Sequence, residues 1–298
     1  MNGGRWLVNE RVWSVWPAPA KVNLFLRISG RRADGYHNLQ TVFQLLSWGD
    51  TVRINVRQDG RISLENTHSY DVPADQDIVV KAARALQTYT QCRLGADIQV
   101  DKQIPLGGGF GGGSSDAASV LVALNFLWKL ALSHTQLLEI GLKLGADVPV
   151  FVLGQNAWAE GVGEILTPIQ LPEAWFLLID SGVHVPTAEL FRSTQLTRAQ
   201  KLVKIANYVN GSLLDNAFEP VVRQLQPRIN RLFESMSHYG TIALTGTGGG
   251  CFMRLSSEVE AFEMQAKLPD DYRSWVVRSA SESPLLQALK QARHELIT

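Results

Sequence analysis

A run of glycines restricts the fold of this chain more than any other stretch. Six of the seven residues of Gly107–Gly113 are glycine, inside the segment IPLGGGFGGGSSDAA at 104–118. Strand-like residues 96–100 precede the run, and a strongly apolar, helix-like segment follows at 117–132. Because glycine adopts positive φ freely and has no Cβ to hold a ligand away, the N–H groups of such a loop turn together toward one anion. The pattern predicts a phosphate-binding loop between a strand and a helix.

Ser114 and Ser115 follow the glycines, and serine is a favoured N-cap residue. We expect them to start the next helix, whose free N–H groups and positive dipole end then face the same anion. The alternative is a flexible turn without a ligand. It is disfavoured because so many glycines cost backbone entropy that an ordinary turn does not require.

Two better-known phosphate motifs fit the surrounding sequence poorly. The spacing Gly107-x-Gly109-x-x-Gly112 matches the dinucleotide-binding fingerprint, but a Rossmann unit requires an acidic residue about 20 residues further on, at a strand end. Residues 129–136 instead read as the end of one helix and the start of another. No Lys-Ser/Thr pair follows the glycines, so the Walker A form is also absent. A Rossmann oxidoreductase is therefore the weakest interpretation.

The composition is that of a globular protein and excludes several classes. The chain has 298 residues, enough for two modest domains, and 28 basic residues balance 28 acidic ones, which disfavours a nucleic-acid binder. The chain has only two cysteines, Cys92 and Cys251, and they lack metal-ligand spacing. So few cysteines fit a reducing compartment. The longest apolar run is too short to span a bilayer, and residues 1–16 do not resemble a signal peptide. We expect a cytoplasmic protein and assign no side chains as metal ligands.

Two ionisable residues stand in apolar surroundings. Lys21 lies in a predicted strand at 16–28, opposite in parity to its apolar residues, so it is either exposed or has an anionic partner. Asp147 is the only ionisable residue of 144–159. It is either a capping group for the apolar segment that follows or a functional carboxylate. Without further context the exposed lysine and the capping aspartate are the commoner cases.

The rest of the chain alternates between strands and helices. A turn at Asp34-Gly35 presents Tyr36 and His37 side by side, which in isolation indicates an aromatic at a hairpin end and an exposed histidine. Asp59-Gly60 predicts a second hairpin, and a second glycine loop lies at 244–251. The remaining predicted elements are strands at 38–46, 50–57, 61–64, 175–179, 241–244, 251–255 and 274–277, and helices at 77–89, 134–144, 221–236 and 257–268.

Three separated motifs together resemble those of the GHMP kinases, a family that transfers the γ-phosphoryl of ATP to a hydroxyl of a small molecule. They are PAKVNLFL at 19–26, PLGGGFGGGSSDAA at 105–118 and LTGTGGGC at 244–251. Three further segments resemble the members that act in the non-mevalonate route to isoprenoids: RRADGYHNLQTVFQLL at 31–46, LGADVPVF at 144–151 and AEGVGEILTPI at 159–169. The resemblance runs from about Trp16 almost to the C-terminus.

The resemblance implies an α+β fold of two domains. Residues 1–158 would form an N-terminal ATP-binding domain with a left-handed, ribosomal-protein-like β-α-β unit and the phosphate loop at 105–115. Residues 159–298 would form a ferredoxin-like, substrate-binding domain. The implied ligands are ATP, with Mg²⁺ carried by the nucleotide, and a small-molecule alcohol with a cytidine diphosphate group. Neither nucleic acid nor a membrane is expected as a partner, and the expected state is a monomer or weak homodimer.

The resemblance also implies roles for particular residues. Lys21 and Asp147 would flank the acceptor hydroxyl as the catalytic pair. The residues implied for ATP binding are Lys102, Pro105, Leu106, Gly107, Gly108, Gly109, Phe110, Gly111, Gly112, Gly113, Ser114 and Ser115. Those implied for the substrate are Asn23, Tyr36, His37, Thr187, Phe191 and Gly246, with Tyr36, His37 and Phe191 holding the cytosine. Asp116 and Asp77 depart from the family pattern, because many relatives have asparagine at the first position and some at the second.

Two alternatives stay open. Another GHMP kinase would act on mevalonate, a phosphorylated mevalonate, homoserine or a sugar, but it would not require the Gly35-Tyr36-His37 turn together with Phe191. A catalytically silent nucleotide-binding protein on the same fold is disfavoured because both Lys21 and Asp147 are present.

Overall fold

The computed structural model describes residues 11–65, 73, 75–205, 208 and 213–295. From the sequence, residues 1–15 are interpreted as an irregular leader, and residues 1–10 of it lie outside the described residues. The strands are β1 Ser14–Arg31, β2 His37–Arg57, β3 Ile62–Leu64, β4 Gly95–Asp101, β5 Ala157–Gly161, β6 Ile165–Pro168, β7 Trp175–Asp180, β8 Ile242–Leu244, β9 Gly250–Leu255 and β10 Arg273–Arg278. The helices are α1 Ile78–Thr90, α2 Gly112–Leu127, α3 His134–Leu144, α4 Val148–Leu153, α5 Thr187–Arg192, α6 Glu219–Leu225, α7 Pro227–Met236, α8 Glu258–Gln265 and α9 Pro284–Glu295.

The first sheet is built around one long strand. β2 pairs with β1, β4 and β5, and the path across the sheet is β3-β4-β2-β5-β6. The residues predicted as strands at 38–46 and 50–57 are strand residues, but the break between them is wrong, since β2 continues through Gly49. A Cβ at Gly49 would lie 2.1 Å from the carbonyl oxygen of Ala18, so this glycine permits a close approach to β1 and does not end the strand.

The hairpin predicted at Asp59-Gly60 is also wrong. Gly60 turns the chain with a φ of +73°, but β3 pairs in parallel with β4, which lies between β3 and β2. β4 has a longer and more buried run than β3 and pairs with β2 from Thr51 to Arg57. The short β3 is therefore left at the sheet edge, and α1 connects it to β4, as the helix predicted at 77–89 requires.

The second sheet is antiparallel, with the order β10-β7-β9-β8. The single helix predicted at 221–236 is two helices, because Pro227 has no N–H to continue the hydrogen-bond ladder and α7 begins at this residue. The C-terminal helix α9 was not predicted. No helix in the described ranges combines the length and apolar character needed to cross a bilayer.

An apolar layer between the two sheets joins them. Val22, Leu24 and Phe25 of β1 share one buried cluster with Phe176 of β7 and Phe252 of β9. β1 is therefore buried on both faces, which explains why its apolar residues do not simply alternate with polar ones. The domain boundary expected between residues 158 and 159 falls inside β5, a strand of the first sheet, and the division into two domains stays a prediction.

Candidate active site

The glycine run forms a loop directly before helix α2. Gly111 is the N-cap, with a φ of +81°, and Gly107 and Gly109 also have positive φ. The prediction that Ser114 and Ser115 cap the helix is wrong, because both lie in its first turn and no side chain caps it. The first N–H groups of α2 therefore lack an internal acceptor and point out of its N-terminus, the arrangement that binds phosphate.

The second glycine loop packs against the first, backbone to backbone. The N–H of Gly250 donates to the carbonyl oxygen of Gly108 over 2.9 Å, and the N–H of Gly249 donates to that of Gly107 over 3.4 Å. A Cβ at Gly109 would lie 2.3 Å from the carbonyl oxygen of Thr245. The sequence singled out both loops, but only the structure reveals that glycine is required at this contact because any side chain would separate the loops.

Lys21 is buried on β1 and bound on three sides. Its ammonium donates to Asn23 Oδ1 over 2.6 Å and to the carbonyl oxygen of Gly109 over 2.9 Å. It lies 3.1 Å from Asp147 Oδ2, and the lysine side chain is only 2% exposed. The interpretation of Lys21 as an exposed strand lysine is therefore wrong. Its partner is anionic, as burial of a charge requires.

Asp147 precedes α4 at the N-cap position, yet its side chain makes no capping hydrogen bond. The carboxylate turns to Lys21 instead and keeps 36% of its side-chain surface exposed. The capping interpretation is therefore wrong. This leaves a partly open carboxylate beside a buried ammonium, which is the geometry of an acid–base pair that a bound hydroxyl could reach.

Two adjoining cavities meet at this pair. The larger, of about 1090 Å³, is lined by the pair together with the six residues predicted to bind the substrate, Asn23, Tyr36, His37, Thr187, Phe191 and Gly246. The smaller, of about 340 Å³, is lined by the glycine loop and by Lys102. Asp147, Gly109 and Thr187 line both cavities, so the carboxylate lies where the two spaces join.

The smaller cavity suits a polyphosphate. Pro105, Leu106, the six glycines of the run and Ser114 line it, and the donors that face it include backbone N–H groups and the Lys102 ammonium. Phe110 and Ser115, also predicted to bind ATP, are buried and line neither cavity. The Phe110 ring packs between the two sheets, while its carbonyl oxygen accepts from the N–H of Lys21 over 3.0 Å.

The far end of the larger cavity is aromatic. His37 stacks on Phe191 with ring centroids 4.8 Å apart, and Phe191 meets Phe218 edge-on. Burial lowers the pKa of His37, and the charges of Arg198 and Arg31 lower it further, so the ring is neutral at pH 7. Its Nε2 is buried without a hydrogen-bond partner among the described atoms and is available to a ligand.

Tyr36 lies at the rim of the same cavity with 65% of its surface exposed. The ring packed against Phe191 is that of His37. Arg198 also lines the cavity, and its guanidinium donates to the carbonyl oxygens of Phe191 and Ser193 at the end of α5. Sequence analysis missed Arg198, because nothing in its neighbourhood marks it as a cleft residue.

The matches to known families follow this geometry. Residues 77–155 match the family described as GHMP kinases N terminal domain, and residues 189–274 match GHMP kinases C terminal. The two matches span more than half of the chain. This chain belongs to the GHMP kinases, and the family and α+β fold predicted from the sequence are confirmed.

The similarity to individual members is more specific. The 4-diphosphocytidyl-2-C-methyl-D-erythritol kinase of Xanthomonas euvesicatoria pv. vesicatoria (strain 85-10) is 60% identical over 279 residues, or 94% of this chain and 95% of the relative. A crystal structure of 4-(cytidine 5'-diphospho)-2C-methyl-D-erythritol kinase matches with a TM-score of 0.75 and 28% identity, covering 90% of this chain and 99% of that one. Homoserine kinase from Cytophaga hutchinsonii ATCC 33406 matches at a TM-score of 0.67 and 15% identity, covering 95% and 98%, which supports the fold alone.

Proposed function

We propose that this chain transfers the γ-phosphoryl of ATP to the 2-hydroxyl of 4-diphosphocytidyl-2-C-methyl-D-erythritol. The observation that carries the proposal is the Lys21–Asp147 pair, 3.1 Å apart, at the junction of the two cavities. The 60% identity to a kinase of that name supports the choice of acceptor.

In this proposal the smaller cavity holds the triphosphate and the larger holds the acceptor. The N–H groups of the glycine loop and of the first turn of α2 neutralise the phosphate charge, which is the main requirement of phosphoryl transfer. The same dipoles bring the terminal phosphorus toward the Lys21–Asp147 pair. Positioning then supplies much of the rate, because both reactants are held at one junction.

Asp147 accepts the proton of the acceptor hydroxyl as its oxygen attacks the γ-phosphorus. Lys21 balances the charge of that carboxylate and of the phosphoryl group in transfer. The ammonium has three N–H donors, and Asn23, Gly109 and Asp147 offer it three acceptors, so its position is fixed before the substrates bind.

We propose that Mg²⁺ enters on the nucleotide, where it would neutralise the β- and γ-phosphates. In the part of the chain that the structure describes, no group of three or more His, Cys, Asp or Glu side chains is arranged to hold a metal. A monomeric or weakly dimeric state and a cytoplasmic location belong to the same proposal.

A panel of acceptors tests the function. We expect ADP release from ATP with 4-diphosphocytidyl-2-C-methyl-D-erythritol at a kcat/KM far above that with mevalonate, homoserine or galactose. A higher kcat/KM with any of those three would assign the chain to another GHMP activity. Nucleotide binding with no ADP release from any acceptor would instead indicate a silent nucleotide-binding protein.

Replacing Tyr36 by alanine tests the base-binding end of the larger cavity. We expect the KM for the cytidine-containing acceptor to rise about tenfold with little change in kcat, because loss of a ring that stacks on a base costs about 1–3 kcal/mol. Since Tyr36 is mostly exposed, the fold should be unaffected. Tyr239→Ala removes a similarly exposed tyrosine outside the cavity and is the control. An unchanged KM for Tyr36→Ala would remove this residue from the substrate site.

A further inference from the structure

A buried cluster of three charged side chains lies beside the glycine loop and takes no part in the Lys21–Asp147 pair. Lys102 follows β4, Asp50 lies on β2 and Asp116 lies in the first half of α2. The Lys102 ammonium donates to Asp50 and, over 2.7 Å, to Asp116. The side chains of Lys102, Asp50 and Asp116 are 10%, 0% and 5% exposed.

The charge of this cluster conflicts with the ligand proposed for the loop. Lys102 lines the smaller cavity, and a Cβ at Gly112 would lie 3.1 Å from its Nζ, so the ammonium reaches the start of α2. With both carboxylates ionised, two negative charges face one positive charge. The excess negative charge would repel a triphosphate in the neighbouring cavity.

The two carboxylates differ in how well the structure stabilises their charge. Asp50 Oδ1 accepts from the N–H groups of Gln103 and Ile104 over 2.6 and 2.7 Å, in addition to the bond from Lys102 to its other oxygen. Asp116 Oδ2 accepts from Lys102, and its Oδ1 is buried with no partner among the described atoms. Hydrogen bonds to a carboxylate favour its ionised form, so Asp116 is the member that accepts a proton.

Burial raises the pKa of Asp116 to about 7; Lys102 opposes the rise and Asp50 adds to it. Helix α2 packs against β1, β2, α1, α3, α4 and α9. The charged groups that act on Asp116 from all of these surroundings are Asp50 and Lys102, within the described residues.

We propose that nucleotide binding is coupled to protonation of Asp116. When the triphosphate enters the smaller cavity, the Asp116 carboxylate takes up one proton from solvent, and it returns that proton when the nucleotide leaves. Protonation removes the excess negative charge and weakens the hold of Asp116 on Lys102, whose N–H groups then turn to a phosphate oxygen. Asp116 is thus a positioning residue that acts through Lys102. The inference rests on the proposed use of ATP and extends it to a residue that departs from the family pattern.

The direction in which nucleotide affinity changes with pH follows from the proposal that Asp116 is protonated in the nucleotide-bound protein. Below about pH 6 the carboxyl is already protonated, so binding takes up no proton. Above about pH 7 the free protein has lost that proton, and nucleotide affinity falls as the pH rises. If binding raises the pKa of Asp116 by one unit, the Kd increases about tenfold between about pH 6 and pH 9.

Isothermal titration calorimetry measures this coupling directly. A non-hydrolysable ATP analogue with excess Mg²⁺ is titrated into the full chain at about pH 8 in buffers of different ionisation enthalpy. We expect uptake of up to one proton per nucleotide by the unmodified protein and none by Asp116→Asn, whose amide does not titrate in this range. The Kd of this variant should stay constant with pH. Asp101→Asn removes an exposed carboxylate next to Lys102 in the chain and should behave like the unmodified protein.

Nucleotide binding by the unmodified protein without proton uptake would overturn the inference alone, and this measurement needs no variant to fold. Uptake by Asp116→Asn equal to that of the unmodified protein would also overturn it. So would a Kd of Asp116→Asn that rises with pH in parallel with that of the unmodified protein and is weaker by the same factor throughout, because that outcome indicates a structural role. Absence of any binding heat across the pH range would overturn the proposed use of ATP as well.

Discussion

Asp147→Asn lowers kcat by about 10²–10⁴ while leaving the KM for either substrate within a few-fold, because the amide fills the same space but does not accept the hydroxyl proton. Steady-state kinetics with ATP and 4-diphosphocytidyl-2-C-methyl-D-erythritol provide the measurement. The expected size is that of one general base in an otherwise intact site. The junction of the two cavities would be preserved, since Asp147 makes no capping bond on which α4 depends.

The control for this variant is Asp59→Asn. Asp59 is also a partly exposed carboxylate paired with a cation, here Arg57, but it lines neither of the two adjoining cavities. Its kcat should equal that of the unmodified protein. If Asp147→Asn retained full kcat, the carboxylate would not be the base, and Lys21 with the phosphate loop would account for catalysis.

Gly109→Ala is expected to lower the free energy of unfolding by about 2–5 kcal/mol, combining the cost of left-handed backbone for alanine with that of overpacking. Gly109 has a φ of +79°, and its new Cβ would lie 2.3 Å from the carbonyl oxygen of Thr245. The two glycine loops would have to separate. Activity should fall as well, because the Gly109 carbonyl oxygen holds the Lys21 ammonium. Urea unfolding followed by circular dichroism measures the loss of stability.

Gly182→Ala separates the two causes. Gly182 also has a positive φ, +68°, but a Cβ there would meet nothing within 4 Å. We expect a loss of about 1–2 kcal/mol from backbone strain alone. Equal losses for the two variants would mean that the contact between the glycine loops tolerates a side chain, contrary to the geometry described above.

Sequence analysis singled out residues that the structure brings together, but it predicted the sheet that carries them less well. Local chemistry was enough to place the glycine loop before α2 and to single out Lys21 and Asp147 as ionisable residues in apolar surroundings. Local chemistry did not decide whether Lys21 was exposed or paired, or whether Asp147 was a cap or a functional group. That depended on the distance between the two side chains in space. Residues so far apart in the chain reveal such a distance only through tertiary structure or through resemblance to a family.

The errors in the fold have physical causes of the same kind. Gly49 has the local chemistry of a strand break, but its close approach to β1 is a tertiary contact. The segment of β3 has the local pattern of half a hairpin, but the competing strand β4 follows later in the chain. Ser114 and Ser115 are residues that favour the N-cap position, but the helix begins earlier. Gly111 is its N-cap, because glycine adopts positive φ at low cost.

The two glycine loops that contact each other lie far apart in the chain. The amides of Gly249 and Gly250, which support the first loop, lie near the end of the second sheet and leave the ribosome long after that loop does. A nascent chain that stops before β8 contains the first glycine loop but lacks the hydrogen bonds that Gly249 and Gly250 donate to it. On the proposed use of ATP, we expect nucleotide binding only once Gly249 and Gly250 have been made, when most of the polypeptide is complete.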